Sequence, residues 1–237
     1  MENLDALAIA AHPDDIEITC GGLLINMSKQ GRNTGALDLT RGEMGTFGTQ
    51  ADRDAEAIAA GESMGLSYRN NLSMPDSAVT YNQENKLKIA QVIRDTKPEL
   101  VILPHWEQRH PDHLACTKLG YDACFLAGLK KVDLNGEPHR PRKIIYISYS
   151  RTADYSFLVD ISDSFEQKCD AVRAYKSQFD NPENAKRIFQ PGLDVFEYME
   201  TKAKFLGQLA GVKFAESYFI KESILIHDPQ KMGIASI

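Results

Sequence analysis

The sequence predicts an α/β fold, a mostly parallel central sheet with helices on both faces, built as a single domain over residues 1–237. Three observations carry that expectation. Short apolar runs alternate with segments of helical periodicity, the pattern of repeated βα units. The first run, Leu4 to Ala11, is almost continuously apolar, as a strand buried on both faces must be. The composition, 43% hydrophobic and 25% charged over 237 residues, is that of an ordinary globular chain. A chain of this length can bury roughly 70–75% of its unfolded surface and needs no disulfide staples.

After the first strand, Gly21 to Lys29 carries Leu23, Leu24 and Met27 at helical spacing, and Thr34 to Leu39 reads as a second strand. Arg41 to Gln50, rich in Gly and Thr, is the longest loop expected, and long loops in compact domains tend to be functional. Arg53 to Met64 is an Ala- and Glu-rich helix with Ile58 and Met64 on one side. Asn85 to Thr96 is a helix with Leu87, Ile89, Val92 and Ile93 as its apolar members; it ends before Pro98, which disfavours helix in the residue ahead of it. Leu100 to Leu103 is a compact strand closed by Pro104. Pro111 to Leu126 fits a helix with proline in its favoured first turn. Lys143 to Tyr149 reads as a strand, Ser162 to Lys176 and Val195 to Leu209 as helices, and Tyr218 to Leu225 as the last strand.

Charge and cysteine usage narrow the class. With 27 basic and 33 acidic residues, a net charge of -6, the chain is not expected to bind nucleic acid, which calls for a basic face. Cysteines 20, 116, 124 and 169 form no Cys-x-x-Cys pair and read as reduced, buried thiols of a cytoplasmic protein. Met1 to Asp5 lacks the basic and apolar regions of a signal peptide, and no apolar run reaches the ~18 residues of a membrane span.

The chemistry is placed by the histidines, at positions 12, 105, 110, 113, 139 and 227. In open α/β sheets ligands bind beyond the carboxyl ends of the strands. The first strand ends at Ala11-His12-Pro13-Asp14-Asp15, where a Rossmann-like dinucleotide domain would carry Gly-x-Gly-x-x-Gly. Gly21-Gly22 do not make that fingerprint. His12 and Asp15, three apart with Pro13 restricting the turn, can aim an imidazole nitrogen and a carboxylate oxygen at one point. Asp14 and Asp15 need not share a role: one can bind a metal while the other faces the reacting atom. The competing reading is a polar turn whose aspartates cap the next helix. Arg109-His110-Pro111-Asp112-His113 follows the strand ending near Leu103, so it lies on the same sheet edge. His110 and His113, at i,i+3, share a helix face. Two histidines and a carboxylate leave a coordination position open, as in catalytic zinc sites, and also suit Fe2+. Asp112 can orient a ligating imidazole or serve as an ordinary acid at a helix N-terminus.

His12-Pro13-Asp14-Asp15 together with His110-Pro111-Asp112-His113 resembles the PIG-L/LmbE-like superfamily of zinc-dependent N-acetylglucosaminyl deacetylases. The loop Thr40 to Thr46 is also similar, and the resemblance extends from about residue 5 to about residue 225. It includes Ala215-Glu216, next to Phe214, where the family usually has a tyrosine. Within the superfamily the chain looks most like the bacillithiol-pathway enzymes that deacetylate N-acetylglucosaminyl-malate, through Leu72 to Asp76, Phe125 to Leu129, Pro138 to Pro141 and Ala174 to Phe179.

The resemblance implies one Zn2+ per chain held by His12, Asp15 and His113, Asp14 as general base and acid, His110 as oxyanion partner and Asp112 as support for an imidazole. It implies a small-molecule N-acetylglucosaminide substrate and a homo-oligomer such as a hexamer. A malate aglycone carries two carboxylates, which suit arginine forks. Arg53, Arg109 and Arg140 are therefore candidate substrate-binding residues, each against the alternative of a solvated charge. Glu43 holds its Gly-rich loop or a sugar hydroxyl. His105 is expected to be packed, His227 at the surface, and His139 to touch substrate weakly if at all. The alternatives are another N-acetyl sugar (chitobiose-, mycothiol- or antibiotic-precursor-like) and a non-catalytic sugar- or metal-binding module.

Overall fold

Leu7 and Ile9 of the first strand pack into one apolar cluster, while Ala6, Ala8 and Ala10 pack into another on the opposite face. This is the period-2 alternation of a strand covered on both sides. The strand is β1 (Ala6–Ala10) of a computed structural model that describes residues 3–147, 154–180 and 194–233. The further strands are β2 (Thr34–Thr40), β3 (Tyr68–Met74), β4 (Leu100–Pro104), β5 (Lys143–Ile147), β6 (Phe157–Asp160) and β7 (Ala215–Phe219). They form one seven-stranded sheet in the order β3-β2-β1-β4-β5-β7-β6. The first five run parallel, and β7 pairs antiparallel with both β5 and β6.

The helices are α1 (Asp15–Lys29), α2 (Gln50–Met64), α3 (Gln83–Thr96), α4 (Pro111–Ala127), α5 (Phe165–Arg173), the single turn α6 (Lys176–Phe179) and α7 (Val195–Ala210). On one face, Ile89 and Ile93 of α3 and Cys116 and Leu119 of α4 meet Leu7, Leu37 and Leu103. On the other, Ile16, Cys20 and Leu24 of α1 meet Ala8, Ala36 and Ile102. A third cluster joins α2, α5 and α7 through Ala60, Val172 and Met199. All four cysteines are free and buried. Among the described residues no helix is long and apolar enough to cross a membrane.

The structure corrects the sequence reading at several points. Strands β3 and β6 were not expected. The expected last strand, Tyr218 to Leu225, runs from Ala215 to Phe219, and Ile224 and Leu225 are exposed. Helix α1 starts at Asp15, directly on the motif. Helix α2 starts at Gln50, where Thr49 and Asp52 form a reciprocal capping box. Its inner face is Ala57, Ala60, Gly61 and Met64, whereas Ile58 is exposed. The helix expected over Ser162 to Lys176 is the shorter α5 followed by α6. The end of the expected strand at residues 148–149 lies outside the described residues.

Candidate active site

Strands β1 and β4 are parallel neighbours, so the segments that leave their carboxyl ends meet. The turn after β1 is strained: Asp14, the N-cap of α1, has φ 98°, a left-handed conformation that costs a non-glycine residue about 1–3 kcal/mol. Several bonds hold it. Asp15 Oδ2 accepts from the His12 amide at 3.0 Å, and Thr40 donates its amide and hydroxyl to the Ala11 carbonyl. Arg53 Nη2 donates to the Pro13 carbonyl at 2.5 Å and to Asp14 Oδ2 at 3.3 Å.

This turn and the start of α4 bring three donor atoms together. His12 Nδ1 lies 3.3 Å from Asp15 Oδ2, His113 Nε2 lies 3.2 Å from the same oxygen, and the two nitrogens are 3.3 Å apart. Two ligands each about 2.0–2.1 Å from a tetrahedral zinc stand about 3.3–3.4 Å apart, so the triangle fits such an ion. Asp15 is ionised: burial opposes this, but His113 and His12 hold its carboxyl well below the usual range. On the far side of His12, Nε2 faces Asp76 Oδ1 at 3.2 Å and Asp112 Oδ2 at 3.4 Å. Two carboxylates claiming the Nε2 proton leave Nδ1 with its lone pair toward the triangle, the usual way an outer carboxylate fixes a ligating imidazole. With no cation present, burial works against protonation, yet Asp112, Asp15 and Asp76 push His12 up to about 12. The pocket is therefore strongly cation-seeking.

Two other groupings also bring ligand atoms within 4.8 Å of one another: His12 with His110 and His113, and His12 with Asp76 and Asp112. Several of their atoms are engaged elsewhere. His110 caps α4, its Nδ1 accepting from the Asp112 amide at 3.2 Å. Asp112 accepts from the Ser77 and Val79 amides, and Asp76 from the Met44 amide. The cap has a chemical consequence for His110. Burial first, then His12 and His113, lower its pKa, so the ring is neutral, and an accepting Nδ1 leaves Nε2 as a proton donor.

Asp14 stands beside the triangle without a place in it. Burial raises its pKa, Arg53 opposes and Asp15 adds to the rise, which brings it to about 7. That is the range in which a carboxyl can both take and return a proton.

Behind the turn lies a buried polar cluster that the sequence did not reveal. Arg69 bonds Glu17 and, at 2.8 Å, Asp38, and it donates to the Tyr175 hydroxyl at 2.9 Å. Tyr175 OH in turn donates to Glu17 at 3.0 Å, and its ring lies 5.6 Å from the Arg53 guanidinium. Glu17 Oε2 and Asp38 Oδ1 are buried without a hydrogen-bond partner among the described residues. Four carboxylates (Asp15, Glu17 and Asp38 buried, Asp14 partly so) thus face two arginines, which also suits a divalent ion next to them.

The other expected residues divide. Arg53 is 5% exposed and grips the Asp14 turn. Arg109 is exposed on the loop before His110. Glu43 ties loops together, accepting from the Arg41 and Asp76 amides. Arg140 stands apart from the others: it stacks 4.6 Å over Phe125, near the C-terminal end of α4, on the order of 20 Å from the helix start where His113 sits. His139 bonds the Pro98 carbonyl at that same far end. His105 is buried and stacked on Trp106, His227 is exposed, and Phe214 is buried against Phe165. Asp76, which no motif announced, belongs to the site.

A mostly parallel α/β sheet that joins two His/Asp motifs at the ends of adjacent strands, with a carboxyl of raised pKa beside them, defines a protein with a metal-competent type of site. The chain belongs to the PIG-L family, whose model, described as GlcNAc-PI de-N-acetylase, matches residues 7–124. It is 30% identical over 236 residues to the diacetylchitobiose deacetylase of Thermococcus kodakarensis, covering 93% of this chain and 84% of that one. Among solved structures, the conserved protein TT1542 of Thermus thermophilus matches with a TM-score of 0.86 at 38% identity, over 97% of this chain and 99% of that one. The 4-carboxy-2-hydroxymuconate hydratase GalB of Pseudomonas putida matches with a TM-score of 0.80 at 19% identity, over 96% and 99% of the two chains. This last likeness shows the fold alone, so function has to be argued from the site.

Proposed function

We propose that this protein is a zinc-dependent N-deacetylase that removes the acetyl group from an N-acetylglucosaminide. The observation that carries the reading is the donor triangle of His12, Asp15 and His113, with the Asp14 carboxyl poised at its side. Zinc, which those three residues would hold, would supply a Lewis acid for the acetyl carbonyl and would acidify the attacking water. Asp14 would take a proton from the attacking water and return it to the departing amine, a poor leaving group until protonated. His110, neutral with a proton on Nε2, donates to the developing oxyanion; such a donor is worth about 10²–10³ in rate. Asp76 and Asp112 hold His12 in its ligating tautomer.

The preferred substrate in this reading is N-acetyl-α-D-glucosaminyl L-malate of bacillithiol biosynthesis. Arg109 supports it, because its exposed guanidinium at the site edge is free to meet a malate carboxylate. The similarity to a diacetylchitobiose deacetylase favours a second reading, a chitobiose-type disaccharide. Acetate release from both sugars, with and without a chelator, tests the proposal. Chelator-sensitive release from the malate glycoside in preference to diacetylchitobiose is the expected result. Preference for the disaccharide moves the substrate assignment to the second reading. No release from any N-acetylglucosaminide by fully zinc-loaded protein leaves a sugar- or metal-binding module.

A further inference from the structure

Outside the site, three rings converge on one ammonium group. Lys221 Nζ lies 4.9 Å from the ring centroids of Trp106, Tyr121 and Tyr146. The rings come from three separate elements: Trp106 from the loop after β4, Tyr121 from α4 and Tyr146 from β5. Trp106 and Tyr146 meet edge-to-face, 5.0 Å apart at 84°, and Trp106 also stacks on His105 at 4.0 Å. Tyr146 is fully buried, and among the described residues its hydroxyl has no hydrogen-bond partner. A cation set against aromatic faces is how proteins recognise alkylammonium ligands. Here the cation comes from the same chain, two residues beyond the end of β7, on a residue that is itself solvent-exposed.

The position of Trp106 gives this contact reach. The loop of residues 105–110 runs from Trp106 to Arg109 and His110, and it is pinned to β5 through the Ile147 carbonyl, which accepts from the His105 amide and Gln108 Nε2. We propose that Trp106, Tyr121 and Tyr146 form an ammonium-binding cage whose resident ligand is Lys221, and that this contact ties the segment following β7 to the loop carrying Arg109 and His110. The cage takes small alkylammonium ions once Lys221 no longer fills it.

Trp106 is the only tryptophan in the chain, so its fluorescence reports on the cage directly and without any assay of activity. Lys221→Met keeps side-chain length and removes the charge; Lys221→Arg keeps a cation. Full-length Lys221→Met is expected to show altered Trp106 emission and a saturable response to tetramethylammonium chloride, measured against matched sodium chloride. Wild type and Lys221→Arg should respond at least about fivefold more weakly, because their own cation competes for the rings. Hydrogen exchange over residues 105–110 should be faster in Lys221→Met than in wild type. Unchanged emission and no tetramethylammonium response in a folded Lys221→Met protein overturn the cage; unchanged exchange overturns the tie to the loop. If Lys221→Met does not fold, Tyr121→Leu, at a 45%-exposed position, serves instead. It should increase acrylamide quenching of Trp106, and unchanged quenching counts against the cage.

Discussion

Arg53 holds the Asp14 side chain and the backbone carbonyl just before it. One nitrogen, Nη2, donates to the carbonyl of Pro13 and to the Asp14 carboxylate. The guanidinium is wedged between the Tyr175 ring and Gly42, where a Cβ would stand 3.0 Å from Nη2. Gly42 itself has φ 68°, so both its conformation and its missing side chain serve this contact. A residue that the sequence suggested as a substrate clamp is, in the fold, what keeps a strained turn in place and a buried carboxyl paired.

Arg53→Met should therefore act on stability and on pH dependence together. Removing one partner of a buried ion pair costs up to about 3–5 kcal/mol, lessened here because Asp14 can take up a proton. Arg53 lowers the Asp14 pKa, so its loss raises that pKa further above the usual carboxylate range. A raised carboxyl pKa contributes stability at low pH that is lost as pH rises through it, so the variant's melting temperature should fall most above neutral pH. Activity that needs ionised Asp14 rises with pH through its pKa. In the wild type a bound dication would draw that midpoint below about 7. In Arg53→Met the acid limb of kcat/KM should move upward, and an unmoved limb would show that Arg53 does not act on Asp14.

Asp14→Asn keeps the donor triangle and removes the proton carrier. Zinc content should stay at the wild-type level while turnover falls by about 10²–10⁴. Elemental analysis and an acetate assay on the same sample decide it; a variant that loses its metal would make Asp14 a ligand.

Asp76→Asn probes the residue that sequence reasoning missed. With one of the two carboxylates at His12 Nε2 neutralised, zinc affinity should fall about 10–100-fold, as measured by competition with a chromophoric chelator. Wild-type affinity would leave Asp112 as the sole support of His12.

Gly22→Ala tests the frame behind the site. A Cβ at Gly22 would stand 2.7 Å from Ile161 Cγ2 and 2.8 Å from Glu216 Oε1. Glu216 accepts from the Gly22 and Leu23 amides, Lys168 and Tyr218, so it has little room to move. Overpacking of this kind costs about 1–3 kcal/mol, which should appear as a lowered denaturation midpoint with zinc stoichiometry intact.

What the sequence revealed follows the reach of its signals. His12, Asp15, His110 and His113 were legible because each pair sits in a short motif just beyond an apolar strand. Strand β3 was not: Tyr68-Arg69-Asn70-Asn71-Leu72-Ser73-Met74 is a half-exposed edge strand, with neither continuous apolarity nor clean alternation. The cluster of Glu17, Arg69 and Tyr175 could not be read either, since its members are 52 to 158 residues apart and meet only through the sheet. The distance of Arg140 from the donor triangle has a simpler reason. This residue precedes β5 rather than following a strand, so it lies at the amino edge of a parallel sheet, away from where such sheets bind ligands.

The two halves of the donor triangle are 101 residues apart in the chain. They join only when β4 has docked beside β1, after β2 and β3 have been synthesised and the chain has crossed back past β1. A growing or partly folded chain that lacks this docking has His12 and Asp15 but no third ligand. Capture of the ion at full affinity would therefore wait on that docking, and metal uptake during refolding would time the closure of the β1–β4 seam.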